Sequence, residues 1–345
     1  MTAACSISHD FVQKQRYAKS SYVRCCSHVA LTAHTEGALQ ELINCFSYAC
    51  NEFGLTISIK ETNILCQNIS FAPTISIGDD TLEVVDNFTY LGSTISSRLN
   101  LDTELNSRIG KASTAMARLS KRVWENNMLT INTKTKVYQA CVLSTLMYGS
   151  ESWSLYTRQE RRLNSFHQRC LRRILGITWQ NHVSNKEVLD KAGIPSMFAL
   201  LSQRRFRWLG HVTRMHDGRL PKDILYGELA TGTRPTGRPM LRYKDTCKRD
   251  LVASGILPAS LERLAADRQG WRATTRSAIR RAEEKREELL EARRTRRHRS
   301  ADPTTSVDSV FRCANCSRTC QSRIGLYSHQ RRCSTNNNTS TTTID

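Results

Sequence analysis

The chain has 345 residues, 39% of them hydrophobic, enough for two domains and at least one sizeable core. Lys and Arg number 51 against 31 Asp and Glu, and this net charge of +20 points away from a neutral metabolic enzyme and toward a polyanionic partner, nucleic acid being the usual one. With 7% aromatics and 16 glycines, the chain is neither a β-propeller nor collagen-like. It holds no run of about eighteen apolar residues that could span a membrane. The start, MTAACSISHDFVQKQRYAKSS, lacks the unbroken apolar stretch of a secretory signal. The thirteen cysteines are therefore expected in a reducing compartment, as core thiols or metal ligands. The expected location is intracellular and, for a nucleic-acid partner, nuclear.

Residues 1–28 are polar at first and patternless, and are expected to be disordered or unrelated to the rest of the chain. In the stretch 29–98, Ala38, Leu39, Leu42, Ile43, Phe46 and Ala49 recur at helical spacing and predict one amphipathic helix. LTISI (55–59), NILCQ (63–67), TISIG (74–78), TLEVV (81–85) and YLGSTIS (90–96) then read as short strands. From 99 to 215 the pattern is helical. Leu101, Leu105, Ile109, Ala112, Met116, Leu119 and Val123 mark one helix, Lys134–Tyr148 a second, and Leu163, Phe166, Cys170, Leu171 and Ile174 a third. The stretch 216–271 is Pro/Gly/Arg-rich, with four of the seven prolines by residue 260, and predicts irregular structure to about 260 and helix beyond. Residues 272–299 hold eleven Lys or Arg and five Asp or Glu, a pattern for a solvated helix to about Glu291. RRTRRHR (293–299) has no apolar face and predicts a disordered basic linker reaching residue 310, and a disordered tail fills 334–345.

Near the C-terminus Cys313-x2-Cys316-x12-His329-x3-Cys333 stands within residues 311–333. Two thiolates on a tight turn and a His/Cys pair one helical turn apart can converge on one tetrahedral zinc ion, the single cofactor expected. So short a domain cannot bury enough apolar surface to fold alone, so the metal would supply its folding free energy. The segment resembles a two-cysteine, two-histidine zinc finger in its variant with Cys as fourth ligand. Phe311 and Leu326 match its apolar positions, whereas Cys320 stands where that family has Phe. Base-reading positions would fall on Ser322, Gly325 and Ser328, which offer little bidentate hydrogen bonding, so a nonspecific nucleic-acid contact or a protein contact is expected.

The segment ALTAHTEGALQELINCFSYACNEFGLTISIKETN, then FTYLGSTIS, KRVWENNMLTINTKTKVYQACVLSTLMYGSESWSL, LNSFHQRCLRRILGITW, RRFRWLGHVTRM and GRPMLRYKD, resembles the end of the palm and the downstream region of reverse transcriptases from LINE-like, non-LTR retrotransposons. The resemblance implies an α+β fold: a palm remnant over 29–98, a mainly helical thumb-like region over 99–215, then a basic linker and one ββα finger. It makes the turn at Tyr90, Leu91 and Gly92 primer-grip-like. Two-metal nucleotide addition needs carboxylates to hold the ions, and the family carries them on an Ala-Asp-Asp turn. Here that turn falls on Cys25, Cys26, Ser27 and His28, with no acidic residue between Asp10 and Glu36. The upstream carboxylate strand would precede Met1, and Glu61 stands where a loop lysine is usual. The resemblance therefore implies a chain that is not an enzyme. The expected origin is a reading frame that begins inside a decayed element; upstream codons restoring the turn would revive a polymerase.

The expected function is nonspecific binding of RNA or DNA together with one structural zinc ion. The alternative is a zinc-finger protein that binds nucleic acid or protein and uses the remnant as a scaffold. Between residues 204 and 249, twelve Lys or Arg face four Asp or Glu, and a one-signed excess of this kind suits a phosphate-tracking groove. The candidate contacts are Arg204, Arg205, Arg207, Arg214, Arg234, Arg238, Arg242 and Lys244, with Arg293, Arg294, Arg296 and Arg297 on the basic linker. Cys45, Cys50, Cys141 and Cys170 read as core thiols, and Trp124, Trp153, Trp179 and Trp208 as core packing rather than base-stacking platforms. His211 reads as a packed histidine rather than a metal ligand with His216 and Asp217. None of these features encodes an oligomeric state.

Overall fold

The computed structural model describes residues 2–8, 28–67, 71–227, 237, 240–301, 311–320 and 322–333. The chain divides into two compact units, Met1–Glu283 and Glu284–Asp345. Mixed helix and small sheets give an α+β architecture.

The first unit opens with a four-stranded sheet in the order β2-β1-β3-β6. Strand β1 (Thr2–Ser8) runs antiparallel both to β2 (His28–Ala33), pairing Ala3 with Ala33 and Ser8 with His28, and to β3 (Ser58–Gln67), pairing Thr2 with Gln67. The expectation of disorder at the start is thus corrected for residues 2–8, which form a central strand of the sheet. Pairing to two partners satisfies the backbone groups that local composition alone would leave to solvent. Helix α1 (Glu36–Glu52) crosses this sheet, with Thr35 accepting the Ala38 N–H as its N-cap. Its Leu39 and Ile43 join Ala33, Ile64, Ile75 and Leu82 in a small apolar core. The predicted run 63–67 lies in β3, but of the predicted run 55–59 only Ser58 and Ile59 are strand, residues 55–57 being irregular. The later runs shrink to β4 (Ser76–Ile77), β5 (Asp80–Thr81) and β6 (Glu83–Val84). YLGSTIS is no single strand: β7 (Asn87–Tyr90) and β8 (Ser93–Ser96) form a hairpin about Leu91 and Gly92, both at positive φ.

The helical region comes next. Helix α2 (Asp102–Arg118) stops short of the predicted Val123, because Ser120–Trp124 adopts a π turn. That turn buries Trp124, whose indole N–H donates to the Met116 carbonyl at 2.7 Å. Helix α3 (Ile131–Val137), a second π turn over Tyr138–Leu143 and α4 (Ser144–Leu146) make up the predicted second helix. The third is α5 (Thr157–Leu175), closed by Gly176 at φ 66°. With α6 (Asn185–Ala192) and the start of α7 (Met197–Thr213), these helices enclose the largest core. Leu105, Met116, Tyr138, Leu146, Leu163, Phe166, Leu171 and Ile174 lie within it. Each such Leu, Ile or Phe contributes about 1.5–3 kcal/mol by leaving water.

Helices α8 (Leu220–Tyr226) and α9 (Tyr243–Ala253) correct the expectation of irregular structure over 216–260, while α10 (Leu261–Ala266) lies beyond it in the part read as helical. Pro221 sits in the first turn of α8 and Pro258 begins a 3-10 turn, where a missing N–H costs nothing. A further core joins Phe206 and Leu209 to Cys247, Leu251, Trp271, Ala278 and Ile279. Helix α11 (Arg268–Ala301) is continuous through the predicted linker at 293–299. Arg and Glu are good helix formers, so an apolar face is not required there. Thiols and indoles also divide. Cys50, Cys170, Trp124 and Trp153 are buried as expected, but Cys45 and Cys141 are exposed, and so is Trp179 at 81%. His211 is exposed and rests against Trp208 at 5.5 Å, while Asp217 pairs with Lys222 at 2.6 Å, so these residues converge on no common point.

Candidate metal centre and nucleic-acid interface

In the second unit, β9 (Phe311–Arg312) and β10 (Thr319–Cys320) form a hairpin that precedes helix α12 (Arg323–Cys333). The hairpin turn is drawn tight by Cys313 donating its N–H to the Arg318 carbonyl at 2.9 Å and accepting from the Ser317 N–H at 2.9 Å. This places Cys313 and Cys316 side by side. The Ser322 Oγ accepts the Gly325 N–H at 3.1 Å and starts α12, on whose last turn His329 and Cys333 stand one turn apart.

Ligand atoms of Cys313, Cys316, His329 and Cys333 all lie within 4.8 Å of one another, and Cys316 Sγ is 2.9 Å from His329 Nε2. Tetrahedral Zn–S and Zn–N bonds require donor–donor edges of about 3.5–3.8 Å, and a group whose edges run from 2.9 Å to under 4.8 Å reaches that geometry with small side-chain shifts, so three sulfurs and one nitrogen here fit zinc. The Asn315 backbone N–H lowers the Cys313 thiol, which favours the thiolate a metal needs. Hydrogen bonding to Cys316 pushes Cys333 up to about 11, as crowded sulfurs resist ionising together without a cation. Among the described residues, this is the one group of three or more such side chains able to share an ion.

The basic residues fare unevenly. Arg205 is corrected as a phosphate contact: it is 1% exposed and ion-paired with Asp250, so it serves the core. Arg204 donates to the Met147 carbonyl at 2.9 Å, Arg214 to the Ala265 carbonyl at 2.7 Å and Lys244 to the Gly227 carbonyl at 3.2 Å. Arg242 pairs with Asp245 at 3.2 Å. Arg207 is exposed, as are Arg293, Arg294 and Arg296 on α11. Arg234, Arg238, Cys25, Cys26 and Ser27 lie outside the described residues, as does the side chain of Arg297; the His28 backbone begins β2.

Sequence reasoning marked Tyr90, Leu91 and Gly92 but missed what holds them. Glu104 accepts the Thr94 N–H at 2.7 Å and pairs with Arg108 at 2.7 Å. Arg108 in turn donates to the Gly92 carbonyl and stacks 4.4 Å from the Tyr148 ring centroid. The signal available in sequence was an acid and a base four apart, flanking the predicted buried face of α2.

No protein-family model matches the chain, and no solved structure does. It is 27% identical over 251 residues to an uncharacterized transposon-derived protein of Caenorhabditis elegans, covering 69% of this chain and 87% of that protein. It is 21% identical over 227 residues to the RNA-directed DNA polymerase of the mobile element jockey of Drosophila melanogaster. The latter match covers 64% of this chain and spans 23% of the polymerase. These relatives support an origin in a LINE-like retrotransposon.

Proposed function

We propose that this chain is a nucleic-acid-binding derivative of a LINE-like reverse transcriptase that binds one structural zinc ion and performs no polymerisation itself. The observation that carries the reading is α11, a continuous helix whose Arg293, Arg294 and Arg296 are exposed, in a chain of net charge +20 with a reverse-transcriptase relative. Helical arginines held in water attract phosphates and release condensed counterions, which requires no base recognition. Against polymerisation stand Cys25, Cys26, Ser27 and His28, where the resemblance to the family puts the carboxylate-bearing turn. Thiol, hydroxyl and neutral imidazole cannot replace a carboxylate pair around two magnesium ions. Cys313, Cys316, His329 and Cys333 would hold the zinc, whose role there is to fold the finger.

The test is fluorescence anisotropy on labelled DNA and RNA from 50 to 300 mM salt, alongside primer extension with Mg²⁺ or Mn²⁺. The expected result is binding that weakens steeply with salt and no extended primer. Salt-independent binding, or extension above a metal-free control, sinks the proposal. A second reading, a protein contact through the finger, is favoured by Ile324 and Tyr327, which are 80% and 71% exposed on α12. Deleting residues 311–333 separates the two, since nucleic-acid affinity then persists and only a protein partner is lost.

A further inference from the structure

A strongly one-signed surface in the first unit lies on α5. Thr157–Leu175 carries Arg158, Arg161, Arg162, Arg169, Arg172 and Arg173 against the single acid Glu160. At 3.6 residues per turn all six arginines fall within an arc of about 120°, and the stripe runs about 22 Å along the axis. The opposite face, with Leu163, Phe166, Leu171 and Ile174, is buried in the main core, so the arginines point outward by necessity. Arg172 and Arg173 do local work. Arg172 ties down the following loop through the Val183 carbonyl at 2.8 Å and Asn185 Oδ1 at 2.9 Å, and Arg173 reaches the Ser120 Oγ. The other four differ: Arg158, Arg161, Arg162 and Arg169 are exposed, and their guanidinium groups have no hydrogen-bond or ion-pair partner among the described residues. Glu160 does not relieve them, being engaged by Arg249 at 3.3 Å.

A face that serves only to be wetted interleaves acids and bases, as α11 does over Glu283–Glu291. Like charges at i, i+3 and i+4 instead destabilise the helix. Four guanidinium groups left to repel one another are complementary to a row of phosphates, which a planar fork grips better than an ammonium does. Trp179 adds a second feature. It is 81% exposed in the loop that leaves the C-terminal end of the stripe, the same loop that Arg172 holds to the helix. A solvent-facing indole at the end of a cationic track is the pairing used to hold single strands.

We infer that the outer face of α5 is a binding site for single-stranded nucleic acid, with Arg158, Arg161, Arg162 and Arg169 on successive phosphates and Trp179 stacked on a base. This site is separate from α11, and it rests on the reading of the chain as a nucleic-acid binder.

The test uses the full zinc-loaded chain and fluorescein-labelled thirty-nucleotide oligothymidylate, with a duplex of equal length and polyglutamate as comparison ligands. Three variants are needed: Arg158→Gln with Arg161→Gln, Arg162→Gln and Arg169→Gln; Trp179→Ala; and Arg293→Gln with Arg294→Gln and Arg296→Gln. All sites are exposed, and circular dichroism confirms that each variant folds. The fourfold variant should bind oligothymidylate at least tenfold more weakly, with a log affinity–log salt slope smaller by about 3, or about 0.7 for each lost phosphate contact. Trp179→Ala should weaken the single strand about fivefold or more and leave the duplex unchanged. An unchanged slope in the fourfold variant, with binding lost in the α11 variant, overturns this site but not the general reading. Absence of binding by the wild-type chain overturns both. Polyglutamate bound as tightly as oligothymidylate overturns it in favour of an acidic protein.

Discussion

Tyr148 donates its hydroxyl to the Leu91 carbonyl at 2.9 Å, joining residues 57 apart in the chain. Leu91 lies at φ 47°, a conformation that a branched side chain adopts only when neighbours over-determine it. The turn is determined from three sides: Tyr148 on Leu91, Arg108 on Gly92 and Glu104 on the Thr94 amide. The hairpin is thus held as a rigid projection, with Leu91 exposed at its tip.

Removing the clamp should release the turn in two graded steps. Tyr148→Phe loses one neutral hydrogen bond, about 1 kcal/mol. Arg108→Ala leaves Glu104, 2% exposed, without its counter-ion and should cost about 3–5 kcal/mol. Chemical denaturation reads the cost, and hydrogen exchange of the Thr94 amide should accelerate in both. Protection unchanged in Arg108→Ala would mean that the ion pair does not hold the hairpin.

Two helical glycines should respond with opposite signs. A Cβ at Gly210 would fall inside the Trp271 indole, whose N–H donates to the Phe206 carbonyl at 2.9 Å. Gly210→Ala should therefore cost about 1–3 kcal/mol through overpacking. Gly110 on α2 has nothing within 4 Å of its hypothetical Cβ, and Gly110→Ala should stabilise by about 0.5–1 kcal/mol. Urea midpoints that move the same way for both would refute the packing account.

His167 gives the fold an acid limit. Burial holds its pKa down to about 4 from 6.5, with the Pro195 backbone opposing, and the Tyr138 hydroxyl lies 2.8 Å from Nδ1. A folded-state pKa below the unfolded one means that the native state excludes a proton the unfolded state takes up. The stability is therefore complete above pH 6.5 and is lost as pH falls to about 4. At 1.36 kcal/mol per unit the loss approaches about 3 kcal/mol. The stability difference between wild type and His167→Gln should narrow by that amount across the window; a constant difference would show that His167 titrates normally.

How much was legible in the sequence depends on where the information lies. Leu163, Phe166, Cys170, Leu171 and Ile174 were predicted as one face of a helix and are all buried, because helical burial is written in local period. The convergence of Cys313, Cys316, His329 and Cys333 was legible for the same reason, two local pairs at fixed spacing. Strand β1 was not, since TAACSIS alternates only over small, weakly apolar residues with one break at Ala4, and the partners that make it a strand lie at 28–33 and 58–67. Arg205 looked like one more surface base in RRFRW, and only Asp250, 45 residues on, turns it inward. The stripe on α5 was overlooked because its arginines interleave with the apolar pattern that announced the helix.

The finger should be a metal-dependent folding unit. Among its described residues Cys313 is buried at 2%, while Ile324 and Tyr327 are largely exposed, so apolar contacts alone cannot repay the chain entropy of ordering it. A bound zinc would supply that free energy through three thiolates and one imidazole, and chelation should abolish the α12 signal while sparing the first unit. Cobalt substitution should give the visible absorption of a tetrahedral site with three sulfurs and one nitrogen, at one ion per chain. Cys313→Ser with Cys316→Ser should eliminate that absorption, whereas Cys320→Ser should retain it, because Cys320 lies outside the ligand cluster. Full stoichiometry in the double variant, or its loss in Cys320→Ser, would mean that the ligand set is wrong.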